Sequence, residues 1–334
     1  MRILYITLSD PRLNEQGIYP DLMHELKKRG HDIVICFADS PGNIDHTLME
    51  EQYGIKVLRV LVGENFNVGL LKKGINTIKM GPYLKGAIRK YLRNERFDLC
   101  LYATPPVTFA QVVSYCKKLY NAKTFLMLKD IFPQNAVDIG LFRENSIIHK
   151  YFLRKERKLY SISDKIGCMS EGNVEYIKKH DPFVDPDKLL VFPNTIKVRN
   201  TDDQHKETEN GEKVRFIFGG NLGKPQALDF LLASIADERL KNRKDIEFLI
   251  VGKGSEEEKV REAAKQFDNL TYMEHMPADE YNRFMKGCDV GMILLDHRFT
   301  IPNYPSRILG IMEMKKPVLA CTDRNTDIRL LVES

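Results

Sequence analysis

"FIFGGNLGKPQALDFLL", residues Phe216 to Leu232, decides how the chain folds. An apolar run at Phe216–Phe218 meets glycines at 219, 220 and 223, and a helical apolar period follows from Leu228. That order, strand then glycine turn then helix, is the opening unit of a parallel sheet covered by helices. Two readings of the glycines compete. They form a structural tight turn, or they let backbone amides of Gly220, Asn221 and Gly223 approach an anion while Lys224 adds a positive charge. The lysine, with no acid before Asp229, tilts the balance to phosphate. A Walker loop is excluded, because it needs glycine where Phe218 stands and Ser or Thr where Pro225 stands. Pro225 instead suits the first turn of the following helix.

Working outward, "IEFLIVGKG", "NLTYME", "DVGMILL" and "KPVLACTD" are further strands, each followed by a helix candidate. Upstream, the polar "IKVRNTDDQHKETENGEK" reads as a linker over residues 197–212. Before it, "RILYITLS", "HDIVICFA", "IKVLRVLVG", "FDLCLYA", "KTFLMLKD" and "KIGCMS" alternate with periodic segments, one of them a helix from Tyr19 to Arg29 ended by Gly30. The fold class is α/β: two Rossmann-like, doubly wound domains, residues 1–196 and 213–334, facing a cleft. Ligands bind outside the carboxyl ends of such strands. "NTDIRLLVES" opens a helix that nothing follows, so the C-terminal domain reads as truncated.

A length of 334 residues suits two domains, and 43% hydrophobic with 29% charged residues suits soluble cores. No apolar run approaches a membrane span, and "MRILYITLSD" lacks the layout of a signal peptide. Six scattered cysteines without a CxxC pair favour reduced thiols in a cytosolic protein over disulfides or zinc. The net charge of +5 is unevenly placed. Lys72, Lys73, Lys79, Lys85, Arg89, Lys90, Arg93 and Arg96 crowd residues 70–96. From Tyr83 onward Leu84, Ile88 and Leu92 share one side of a helix, and Lys85, Arg89 and Arg93 another. That side is a solvated face or a surface resting on anionic lipid. Nucleic acid is disfavoured, since no zinc-finger or RNP motif lies nearby.

"IVGKGSEEEK" carries Gly252 and Gly254, but the third glycine of a dinucleotide fingerprint falls at Glu257. Glu256 to Glu258 would repel a pyrophosphate there, so this GxG reads as a turn and a nicotinamide dehydrogenase is disfavoured. "YPSRILGIMEMKKPVLACTD", Tyr304 to Asp323, is richer. If a helix starts near Ser306, then Ser306, Gly310 and Glu313 share a face. Helix-mouth amides and Arg307 suit a diphosphate, and Glu313, about 10 Å further along the axis, suits sugar hydroxyls. The plainer reading makes Ser306 an N-cap and Glu313 a partly exposed polar residue. Neither needs a metal.

Together "GGNLGKPQALDFLL", "FLIVGKGSEEEKV", "MPADEYNRFMKGCDVGMILL" and "YPSRILGIMEMKKPVLA" resemble the GT-B glycosyltransferases of family 4, specifically enzymes of bacterial capsule and lipopolysaccharide synthesis. The resemblance is strongest from Val214 to Asp327, with "KDIFPQNAVDIG" and "VFPNTIK" matching the family's style upstream. It implies a retaining transferase that moves a sugar from a nucleotide diphosphate, with a UDP-sugar favoured as donor, to a saccharide or lipid-linked acceptor. The nucleotide sugar is then a substrate and no cofactor is needed. By similarity Gly220 and Lys224 contact the diphosphate, Ser306 and Arg307 complete the phosphate cradle, and Met276 and Pro277 hold the base through backbone groups. Asp130 faces the cleft as an acceptor-side group or base, or is an ordinary turn residue. The family's two glutamates align with Pro302 and Gly310, so Glu313, one turn on, stands in for the ribose contact or the site takes another nucleotide. The expected setting is cytoplasmic, peripheral on the inner membrane face. Competing readings are a sugar-nucleotide epimerase on the same fold and a catalytically silent nucleotide-sugar-binding scaffold.

Overall fold

A computed structural model describes residues 1–63, 70–198 and 213–333, with the backbone alone for residues 70–79. The chain divides into two compact units, Met1–Ile196 and Lys197–Ser334. Most of the expected linker, residues 199–212, and the side chains of Lys72, Lys73 and Lys79 lie outside the described residues.

In the first unit, β1 (Arg2–Thr7), β2 (Asp32–Asp39), β3 (Leu48–Gln52), β4 (Ile55–Leu61), β5 (Leu99–Ala103), β6 (Lys123–Leu128), β7 (Lys165–Cys168) and β8 (Leu189–Val191) form one sheet. Its order is β3-β4-β2-β1-β5-β6-β7-β8. Every pair is parallel except β3–β4, and Tyr5 of β1 sits opposite Ile35 and Leu101. Both faces of β1 and β2 are buried, which is why these strands read as continuous apolar runs. The charged "LMEEQ" of β3 gave no such signal. Tyr53 and Gly54, both at positive φ (51° and 70°), close a two-residue hairpin turn that pairs it with β4.

The helices are α1 (Ile18–Lys28), α2 (Leu70–Tyr91), α3 (Ala110–Tyr120), α4 (Gln134–Asp138), α5 (Ile147–Ile162) and α6 (Glu171–His180). α2 begins well before Tyr83 and continues through Pro82, whose lost N–H hides the continuity from a sequence reading. Leu84, Ile88 and Leu92 are buried while Lys85 and Arg89 are exposed. α2 ends at Tyr91, so Arg93 stands in the following turn and not on the helix as expected.

One buried carboxyl of this unit titrates far from its usual range. Glu156 of α5 is 4% exposed, accepts the Tyr160 hydroxyl (2.8 Å) and faces Asp181; burial, then Asp181, pushes it up to about 8. A carboxyl raised in the folded state stabilises fully below about pH 4.5, and that contribution is lost as pH rises through about 8. Glu156→Gln is therefore expected to be more stable than the parent above about pH 8, by roughly 4 kcal/mol at most, with the gap closing toward pH 4.5. Urea unfolding at the two pH values checks this; a gap that widens in acid would refute it.

In the second unit, β9 (Val214–Asn221), β10 (Ile246–Lys253), β11 (Leu270–Met273), β12 (Val290–Leu294) and β13 (Val318–Cys321) form an all-parallel sheet. Its order is β11-β10-β9-β12-β13. α7 (Leu228–Ala236), α8 (Glu257–Ala264), α9 (Ala278–Lys286), α10 (Arg307–Glu313) and α11 (Ile328–Val332) cover it. Strand alternation splits the core in two: Phe218, Ile250 and Met292 pack on one face, Ile217, Val251 and Ile293 on the other. The chain runs outward from β9 to β11 and then returns to β12 beside β9. The order reverses between β9 and β12, which makes their carboxyl ends the switch point where ligands of such sheets bind.

Candidate functional site

The quoted glycines stand at this switch point. A Cβ on Gly219 would lie 2.3 Å from the Tyr281 ring of α9, and Gly220, at φ +131°, lies against Arg307. The second glycine pair locks into the first. A Cβ on Gly252 would fall 1.9 Å from Gly220 O, and one on Gly254 would fall 2.3 Å from Leu222 O. Leu222 N–H donates to Lys253 O and Glu256 N–H to Leu222 O, both at 2.9 Å. Gly252 and Gly254 therefore serve close packing of one turn on another.

Beyond β9 the loop is held from within. Gly223 N–H and Asn221 Nδ2 both donate to Gln226 Oε1, at 3.2 and 3.3 Å. Pro225 lies in a separate 3₁₀ turn, Lys224–Gln226, and not in the first turn of α7. Ala227, at φ 44°, breaks the backbone between the two, so α7 starts at Leu228. Asp296, just past β12, donates its N–H to Pro225 O (2.9 Å). Its carboxylate is clamped by Arg298 at 2.9 and 2.6 Å, which holds it below the usual carboxylate range. Lys224 is exposed at the head of the 3₁₀ turn.

Arg307 is the first residue of α10, and its guanidinium carbon lies 4.3 Å from the centroid of Phe218, beside Gly220. Burial pulls it down to about 10, with Tyr281 opposing the shift. Its buried Nη1 has no hydrogen-bond partner among the described residues. A guanidinium carries donors in a planar fork and no acceptor. Leaving one buried donor unmade costs about 1–3 kcal/mol, more when the group is charged. An anion on Gly220 would satisfy it. Ser306 is exposed and stands at the N-cap position of α10, as the plainer reading has it, but its side chain makes no capping hydrogen bond. Glu313, the half-buried last residue of α10, lies about 9 Å along the axis from Arg307.

Met276 and Pro277 lie between β11 and α9, and the half-buried Met276 side chain packs against the same core cluster as Tyr281. Pro277 has no N–H, and its carbonyl already accepts Tyr281 N–H at 2.9 Å. Of the pair, Met276 alone carries a backbone N–H. Gly220, Asn221, Gly223, Lys224 and Arg307 come together at the switch point, and α9 reaches the same place through Tyr281. The sequence did not single out Phe218 or Tyr281. Only Tyr281's place in the "MPADEYNRF" run, one turn after Pro277, pointed toward it.

Asp130 belongs to the first unit, two residues past β6. Thr104 Oγ1 accepts Lys129 N–H (3.1 Å) and donates to Asp130 O (3.2 Å), fixing this strand end. Burial pushes the Asp130 carboxyl up to about 6 and the neighbouring Lys129 ammonium down to about 8. Tyr19 is raised to about 12 by burial and then by Asp130.

Two doubly wound units of this kind define the GT-B class of glycosyltransferase fold. Sucrose-phosphate synthase from Thermosynechococcus elongatus shares it with a TM-score of 0.73 at 12% identity, over 96% of this chain and 81% of that one. Anabaena HepE in complex with UDP-glucose shares it with a TM-score of 0.67 at 14% identity, over 100% and 83%. Residues 21–199 match the family model Glycosyltransferase Family 4, and residues 213–332 match Glycosyl transferases group 1. The first match alone covers more than half of the 334 residues, and the chain belongs to Glycosyltransferase Family 4. The probable glycosyltransferase WbjE of Pseudomonas aeruginosa is 25% identical over an alignment of 251 residues, which covers 72% of this chain and 61% of WbjE. The chain thus spans about three fifths of that relative's length.

Proposed function

We propose that the protein is a retaining glycosyltransferase that takes a UDP-sugar and glycosylates a saccharide or lipid-linked acceptor in surface polysaccharide synthesis. One observation carries the reading: a buried guanidinium with an unmade donor, stacked on Phe218 beside Gly220 at the switch point. Arg307 and Lys224 neutralise the diphosphate as its charge grows, and the backbone of Gly220, Asn221 and Gly223 lines its approach. Met276 contacts the base, and Glu313, with Ser306 toward the phosphates, takes the ribose. HepE was solved with UDP-glucose, which favours uridine here as a working choice.

In the reaction the bond from the anomeric carbon to the phosphate oxygen breaks and its electron pair stays with the diphosphate. The acceptor oxygen bonds to the same face, and its proton passes to the leaving diphosphate. Asp130 holds the acceptor hydroxyl as a carboxylate. Since its folded value is near 6, turnover at low substrate should rise with pH through about 6. Asp130→Asn should remove that limb.

The test is UDP release with and without acceptor, with the product's anomeric configuration read by NMR. Acceptor-dependent release with retention supports the proposal. Donor conversion without acceptor would mean an epimerase, and nucleotide binding without turnover would mean a silent binder. The proposed setting is the cytoplasmic face of a membrane. No described helix is long and apolar enough to cross one.

A further inference from the structure

We propose that the corner between α4 and α5 is the surface by which the first unit rests on an anionic membrane, a reading that builds on the lipid-linked acceptor proposed above. Three large apolar side chains project there within eight residues: Leu141 is 58% exposed, Ile147 88% and Ile148 55%. Scattered apolar residues on a surface are ordinary, but a cluster at one corner marks an interaction site.

The cluster stands on a folded platform. The Phe142 ring stacks on Phe152 (6.3 Å), and Phe132 meets both, at 6.1 and 5.0 Å. Ser146 caps α5 by accepting His149 N–H (3.2 Å), and Asn145 N–H donates to His149 Nδ1 (3.0 Å). The aromatic rings face inward while Ile147 and Ile148 point out from the first turn of α5.

Charge selects the occupant. Arg143, Lys150 and Arg154 are exposed around the apolar tips, and none makes an ion pair among the described residues. From Leu141 to Lys155 the one acid is Glu144. Apolar tips ringed by unpaired cations fit the boundary between acyl chains and anionic headgroups.

Topology gives the corner its use. α5 ends beside the amino end of β6, where Lys117 Nζ donates to Ile162 O and Asp164 N–H donates to Thr124 O. Its first turn therefore lies toward the carboxyl edge of the sheet, about 22 Å away. Asp130 is on that edge, and Phe132, two residues on, belongs to the platform itself. An acceptor anchored in the bilayer under the corner would present its sugar toward Asp130. Lys85 and Arg89 lie in the last two turns of α2, toward the opposite, amino edge. The turn after α2 sits at the amino edge, where Arg2 pairs with Glu95 (2.5 Å) and its N–H donates to Asp98 (2.7 Å).

The chain contains no tryptophan, so one introduced residue reports its own surroundings. Ile147→Trp and, as a control on α2, Tyr83→Trp are mixed with phosphatidylcholine vesicles with and without phosphatidylglycerol. The expected result is a blue shift of emission for Ile147→Trp with the anionic vesicles alone, reversed by salt, and none for Tyr83→Trp. In sedimentation, the double change Ile147→Asp and Ile148→Asp should weaken vesicle binding by roughly tenfold or more. No shift at 147, a shift at 83 alone, or undiminished binding by the double variant would overturn the proposal. A corner that instead served a protein partner would give the first of these. UDP titration of the same preparations keeps the readings separate: lost vesicle binding with intact UDP affinity strikes docking alone, and lost UDP affinity in the parent strikes the transferase reading.

Discussion

Arg307→Ala is expected to lower the turnover number about 10²–10³-fold, the usual cost of removing one donor aimed at developing charge. Its stability should stay within about 1 kcal/mol of the parent. The side chain's stacking on Phe218 contributes about 0.5–2 kcal/mol, but a buried cation with an unmade donor carries a desolvation cost that the substitution relieves. The two readouts must therefore part. A structural arginine would lose stability with activity, whereas a ligand-holding arginine loses activity alone. Arg307→Lys restores charge without the planar fork, so it should recover only part of the rate. Undiminished turnover in Arg307→Ala would remove the basis of the phosphate cradle.

Gly252→Ala is expected to destabilise the second unit by about 2–5 kcal/mol, summing backbone strain with overpacking. Gly252 sits at φ +150°, and its Cβ would fall 1.9 Å from Gly220 O, a backbone atom that no rotamer change can move. Because Gly220 lies against Arg307, even a folded variant should bind nucleotide poorly. Gly310→Ala is the contrast. Its Cβ would meet only the flexible Met285 Cε, at 3.8 Å, inside α10. It should be neutral or stabilise by up to about 1 kcal/mol. Denaturant midpoints of the two variants check both; equal midpoints would mean that the glycine turns do not interlock.

The second unit was legible because its inner strands β10 and β12 are buried on both faces and glycine punctuates the ends of β9 and β10, so composition alone marks strand, turn and helix. The β3 hairpin was not. Its charged residues carry no apolar period, and its pairing is set by two positive-φ residues and by its neighbour β4. α2 was found only from Tyr83 because Gly81–Pro82 reads locally as a break. Among the candidate site residues, Gly220, Lys224 and Arg307 were nameable from glycine spacing, charge and family resemblance. Phe218 and Tyr281 were not, since alternation says which face a side chain takes and nothing about what crosses over it. The unmade donor on Arg307 is a fact of packing in three dimensions. The backbone limit at Pro277 was visible in principle, because proline has no N–H, but its carbonyl's engagement in α9 needed the helix start.

The most direct test of the central claim is calorimetric titration of the protein with UDP, GDP and ADP, beside Lys224→Ala and Arg307→Ala. The account predicts micromolar binding of UDP, weaker or no binding of the others, and a loss of tenfold or more in each variant, about 1.4 kcal/mol or above. Absence of binding by any of the three nucleotides, or equal affinity in the parent and both variants, would contradict it.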